Sequence, residues 1–222
     1  MRQIGNRSFY DTLEEIIAPA HTAIIVVDQQ NDFCHPDGFY AKDLNLDVSM
    51  VRAITDPINL LTAAARRSGA KVVFTQNVIK RGFVSDSPLW LGIHAAAGLK
   101  SLDQERFYVI EGTWGAELYE PVEVAKGDII IPKLRSSAFH DTPLEALLKM
   151  HGIESCVIAG QVTEGCVDST IRGARDRDFY TVLARDAIAS TSRERHDRIM
   201  ANWLPRSHCP TATEIAELWE KA

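Results

Sequence analysis

The 222-residue chain has no apolar run approaching the ~20 residues that a membrane-spanning helix needs. No charged-then-apolar leader opens it, so it reads as a chain without a targeting segment. It has no surplus of positive charge. Its 24 Lys and Arg stand against 30 Asp and Glu, for a net charge of −6, and the basic residues are dispersed. That argues against nucleic acid or an anionic membrane surface as the main partner. Cysteine is scarce: Cys34, Cys156, Cys166 and Cys209 form no CxxC pair and no zinc spacing. Such usage fits reduced thiols and a cytoplasmic protein. A GxGxxG turn is also missing after the first apolar run, where Asp28-Gln29-Gln30-Asn31 stands, which removes a dinucleotide-binding reading.

What is present is enough apolar material for one sizeable core, at 45% hydrophobic and 24% charged residues. A single domain over residues 1–222 is expected, with residues 1–20 as an N-terminal arm. The runs at 23–27, 71–76, 128–133, 155–159 and 180–184 are apolar and largely β-branched. Continuous runs of this kind suit strands covered on both faces, as in a parallel sheet. Helical spacing fills 48–67, where Pro57 marks a kink or a late start and Gly69 closes the helix. Further helices are expected from Thr142-Pro143-Leu144 to Met150, over 166–176, over 192–203, and in the tail from Thr213 to Lys221. Residues 107–110 give a weak strand, and 77–100 read as a long functional loop. The alternation predicts an α/β fold, a three-layer α/β/α sandwich around a mostly parallel, doubly wound sheet.

In such a sheet ligands sit beyond the carboxyl ends of the strands. Asp28, Lys133 and Cys166 fall at three of those ends. Cys166 lies where a strand passes to a helix, and helix N–H groups with the positive end of the macrodipole favour a thiolate there. Asp28 can take and return a proton, while Lys133 can hold the carboxylate and thiolate and lower the thiol pKa. Singly, each has an ordinary alternative: a buried structural cysteine, a turn-capping aspartate, a surface lysine. Cys156 reads as packing, and Cys34 as a neighbour rather than a second nucleophile.

Three motifs carry a family resemblance: Asp28-Gln29-Gln30-Asn31-Asp32-Phe33, Pro132-Lys133 with Arg135-Ser136-Ser137-Ala138-Phe139, and Gly160-Gln161-Val162-Thr163-Glu164-Gly165-Cys166-Val167. Together they resemble the isochorismatase-like cysteine hydrolases over about residues 21–190. The resemblance implies a Cys166–Asp28–Lys133 triad that attacks an amide or ureide C–N bond through a thioester. It also implies a cis Gln161–Val162 peptide, with the Val162 and Cys166 N–H groups facing the oxyanion. No cofactor is implied, and the oligomer would be a homodimer or homotetramer with pocket lids from neighbouring subunits.

Within the family, nicotinamidase-like members carry an Asp-x-His metal motif at the second strand end. Here Thr75-Gln76-Asn77-Val78-Ile79-Lys80 stands there with no histidine before His94, so no metal is expected. Gln76-Asn77, Gly112-Thr113-Trp114 and residues 132–139 are similar to ureidoacrylate and related N-carbamoyl amidohydrolases. The implied substrate is a small R–NH–CO–NH₂ compound that releases ammonia. Asn77 would bond the ureido group, Arg135 would clamp a carboxylate, and Trp114 and Trp90 would wall the pocket. Phe33 and Gln161 complete the candidate substrate-binding set, while Glu164 binds an amine or faces solvent. The alternatives are hydrolysis of a plain carboxamide or lactam, nicotinamidase-like or maleamate-like, and a binding protein of the same fold that has lost catalysis.

Overall fold

Two short strands, β1 (Arg2–Ile4) and β2 (Arg7–Phe9), pair as an antiparallel hairpin within the N-terminal arm. The computed structural model describes residues 1–102 and 106–221. Its main sheet contains β3 (Thr22–Val27), β4 (Lys71–Asn77), β5 (Ile129–Lys133), β6 (Ser155–Gln161) and β7 (Tyr180–Ala189). The order is β5-β4-β3-β6-β7 and every pairing in it is parallel. The chain winds outward from β3 through β4 to β5, then returns to the other side of β3 for β6 and β7. The direction therefore reverses between β3 and β6, and at such a reversal the flanking loops part to leave a crevice at the carboxyl ends.

The β-branched runs form this sheet because both of its faces are dry. Ala23, Ile25 and Val27 point to one core and Ile24 and Val26 to the other, all fully buried. The helices Thr55–Ser68 and Ala212–Glu220 cover one face through Ile58, Leu61, Ile215 and Trp219. The helices Leu144–Met150, Asp168–Arg175 and Arg193–Trp203 cover the other through Leu148, Ile171, Met200 and Trp203. Truncating one such aliphatic side chain to Ala typically costs about 2–5 kcal/mol. No helix among the described residues is long and apolar enough to cross a membrane.

Several expectations are corrected. The helix over 48–67 is two, Ser49–Ala53 and Thr55–Ser68, broken at Ile54. Pro57 falls in the first turn of the second, where its missing N–H breaks no helical bond. Residues 107–110 do not form a strand; one bridge between Ile79 and Ile110 is what the weak signal amounts to. The 77–100 segment is not an open loop. It holds the helix Pro88–Ala96, capped by the Ser87 hydroxyl, with proline at its first position. The helix after Thr142 starts at Leu144, whose N–H the Thr142 hydroxyl accepts.

One glycine decides how the sheet approaches the site. Gly160 sits at φ +109° beside β3, and a Cβ there would lie 2.2 Å from Val27 O and 2.5 Å from Val27 N. Only glycine lets β6 run this close to β3, and the next two residues, Gln161 and Val162, are joined by a cis peptide beside Asp28.

Candidate active site

Asp28 follows the last residue of β3 and has a left-handed backbone, φ 51°. Its N–H donates to Thr75 Oγ1 (3.2 Å), and that hydroxyl donates to Asp28 Oδ1 at 2.6 Å. Thr75 therefore fixes both the turn and the carboxylate plane. Lys133, the last residue of β5, is fully buried. Its Nζ lies 2.7 Å from Asp28 Oδ2 and donates to Cys166 Sγ (3.3 Å) and to the Arg135 carbonyl (3.0 Å). Cys166 stands on a wide turn, Thr163–Val167, in which the Val167 N–H reaches back five residues to Val162 O at 3.3 Å. Turns of this π type occur often at functional sites, because the extra residue per turn pushes a side chain out of the regular helical path. Asp28, more than a hundred residues before Lys133 and Cys166 in the sequence, thus meets them around one ammonium group.

Burial and charge pull on the site in opposite directions. Cys166 is half-buried, yet its dense surroundings push the thiol up to about 12. Burial is the main cause; Lys133 pulls the value down, and the Asp28 carboxylate pushes it up again. Lys133 thus acts on the thiol in the expected direction, while burial works against the thiolate. Burial also works against the Lys133 charge, but Asp28 and Cys166 beside it hold its pKa above the ordinary lysine value. The site is an Asp28–Lys133 ion pair in contact with the Cys166 sulfur.

Cys166 opens on a small cavity of about 40 Å³ whose wall includes Asn77, Asp86, His94, Tyr108 and Arg135. Gln30 clamps Asn77, its side-chain amide donating to Asn77 O (2.9 Å) and accepting from Asn77 N–H (2.7 Å). Arg135 donates to Leu134 O (2.6 Å) and Ser85 O (2.8 Å), and its guanidinium lies 5.2 Å above the Trp90 ring. His94 Nδ1 is 2.8 Å from the Tyr108 hydroxyl. A larger, more open groove of about 470 Å³ along Arg185, His208 and the C-terminal helix contains none of the triad. Among the described residues, no cluster of three His, Cys, Asp or Glu side chains could hold a metal ion.

The model of the isochorismatase domain matches residues 22–214. The chain belongs to the isochorismatase family. It is 33% identical over 175 residues to the ureidoacrylate amidohydrolase RutB of Klebsiella pneumoniae, covering 77% of this chain and 74% of that protein. It is 33% identical over 174 residues to RutB of Methylorubrum extorquens, covering 75% and 68%. Among solved structures, a cysteine hydrolase from Pseudomonas syringae superposes with a TM-score of 0.80 at 25% identity, over 93% of this chain and 95% of that one.

In this isochorismatase-family hydrolase only part of the expected substrate-binding set reaches the cavity. Asn77 and Arg135 line it, as does Trp90. Trp114 does not: it is 47% exposed and packs edge-on against His35. Phe33 is buried behind the wall against Tyr40 and Tyr108. Gln161 is engaged in bracing, its Nε2 donating to Asp28 O (3.1 Å) and lying 2.8 Å from Cys34 Sγ. Glu164 stays within 3.6 Å of Arg195, with its second oxygen buried and without a hydrogen-bond partner among the described residues. Sequence reasoning missed Thr75, Asp86 and Tyr108, whose roles arise from contacts across distant segments.

Proposed function

We propose that this hydrolase is a cysteine amidohydrolase acting on a C–N bond of a small N-carbamoyl compound, R–NH–CO–NH₂. The observation that carries the reading is the contact of one buried ammonium, Lys133 Nζ, with both Asp28 Oδ2 and Cys166 Sγ at the edge of a small cavity.

With a protonated thiol at rest, Asp28 has to act as the base at the moment of attack. The Cys166 sulfur bonds to the carbonyl carbon while its proton passes to Asp28. Lys133 stays charged throughout and keeps the carboxylate in place. The oxyanion meets the N–H groups of Val162 and Cys166; losing one such donor typically costs about 10²–10³ in rate. Asp28 then returns the proton to the departing nitrogen and ammonia leaves. What remains is a thioester of the thiocarbamate type, R–NH–CO–S–Cys166. Water gives its proton to Asp28 and attacks that carbonyl, and the thiol leaves protonated. The product carbamate, R–NH–COOH, falls apart to an amine and CO₂.

The ureido assignment is supported by the names of the 33%-identical relatives and by a cavity whose polar wall suits a compact carbamoyl group. A panel of N-carbamoyl compounds and carboxamides, with ammonia and CO₂ measured together, tests it. Equal release of both gases from carbamoyl compounds is expected. Ammonia without CO₂, from carboxamides alone, would overturn the substrate class while leaving the amidohydrolase chemistry in place.

A further inference from the structure

One carboxylate in the wall of the Cys166 cavity is left half-used by the protein itself. The Asp86 side chain is 4% exposed, and its Oδ1 lies 3.7 Å from Arg135 Nη1 and 3.5 Å from His94 Nε2. Its Oδ2 is buried with no hydrogen-bond partner among the described residues. Neither Oδ1 contact is short, and Arg135 is held without Asp86 by two backbone carbonyls and the Trp90 face. Arg135 therefore does not need the second oxygen. A buried acceptor without a donor is costly, and this one lies in the wall of the cavity where the nucleophile ends.

We propose that Asp86 determines substrate specificity: its Oδ2 accepts a hydrogen bond from the nitrogen that stays on the reacting carbon, so that the site selects ureides over carboxamides. The inference rests on the amidohydrolase reading and names the substrate feature recognised. In the tetrahedral intermediate the carbon carries four groups. Sulfur comes from Cys166, the oxyanion faces the nucleophile turn, and the departing nitrogen must lie near Asp28 to receive its proton. The fourth group is left facing the wall that carries Asn77, Asp86 and Arg135. In R–NH–CO–NH₂ that group is an N–H donor bonded directly to the carbon. In R–CH₂–CO–NH₂ it is a methylene, which would leave Oδ2 dehydrated and unpaired. The cavity, at about 40 Å³, has space for a few atoms when one water needs ~10–15 Å³. The donor must therefore belong to the carbamoyl group or lie next to it.

The test compares kcat/KM for an N-carbamoyl compound and for the carboxamide in which CH₂ replaces the retained N–H, in wild type and in Asp86→Asn. In the variant, Arg135 and His94 favour the amide oxygen on their side, so the NH₂ faces the substrate and meets its N–H donor to donor. Sites built around such a bond discriminate by as much as ~10⁴–10⁵. The wild type is expected to prefer the ureide by about 10²-fold or more, and Asp86→Asn to reduce that ratio at least about tenfold. An unchanged ratio in a folded Asp86→Asn overturns the role of Asp86 alone. Should the variant fail to fold, the wild-type ratio decides, and equal turnover of the two compounds overturns the proposal. Hydrolysis of neither compound would overturn it together with the amidohydrolase reading.

Discussion

At neutral pH the Cys166 thiol should resist alkylation, and removing its catalytic base should make it more reactive. A thiol titrating at about 12 is ionised to about one part in 10⁵ at pH 7, whereas an ordinary cysteine near 8.5 is ~3% ionised. The more basic thiolate is intrinsically the better nucleophile, and a Brønsted slope of ~0.4–0.5 recovers about 30–50-fold. The net expectation is alkylation by iodoacetamide about 10²-fold slower than free cysteine at pH 7. The rate should climb up to tenfold per pH unit with no plateau below about pH 11. Asp28→Asn removes a carboxylate that raises the thiol pKa, so labelling of Cys166 should become faster. The same substitution takes away the proton acceptor, and turnover should fall by about 10²–10⁴. Labelling read by mass spectrometry on the Cys166 peptide, beside an ammonia assay, follows both quantities. A rate plateau between pH 6 and 8 in the wild type, or labelling and turnover falling together in folded Asp28→Asn, would refute the reasoning.

Two other consequences concern stability. Gly160→Ala would place a methyl group 2.2 Å from Val27 O at a left-handed position. It should lower the unfolding midpoint sharply or abolish soluble expression, and near-wild-type melting would contradict the close β3–β6 approach. Burial pushes the Cys34 thiol up to about 12 and the Cys156 thiol higher still. The unfolded chain ionises these thiols from about 8.5, so above that pH it binds fewer protons than the folded one. Each thiol therefore withdraws up to ~1.4 kcal/mol of stability per pH unit between 8.5 and its folded value. In urea unfolding at pH 7, 9 and 10, Cys156→Ala should show a shallower alkaline loss than wild type; parallel curves would count against the assignment.

Much of the fold was legible because a doubly covered parallel sheet writes itself as uninterrupted apolar runs, and each of the five runs became one strand. The positions of Asp28, Lys133 and Cys166 were legible for the same reason, since each lies at the end of a run or in the turn after it. The upward push of burial on the Cys166 thiol was not. It arises from packing by segments far away in sequence, which a local helix-terminus argument does not count. The helix Pro88–Ala96 did leave a signal: Ser87-Pro88 is a cap followed by a first-turn proline, masked by the Gly82, Ser85 and Ser87 turn residues around it. Trp114, Phe33 and Gln161 had suitable chemistry, but residue type does not reveal whether a ring faces solvent, a core or a cavity. Asp86 gave no local sign, because Arg135 reaches it from the loop after β5 and its place in the cavity wall depends on that distant segment.

The covalent step is the claim on which the rest depends. Rapid acid quench of the enzyme during turnover of an N-carbamoyl substrate, followed by peptide mass spectrometry, reads it directly. The account predicts an R–NH–CO adduct on the peptide containing Cys166, absent from Cys166→Ser, together with loss of turnover in that variant while its thermal unfolding is retained. Sustained ammonia release by folded Cys166→Ser, or by Cys166→Ala, would contradict it.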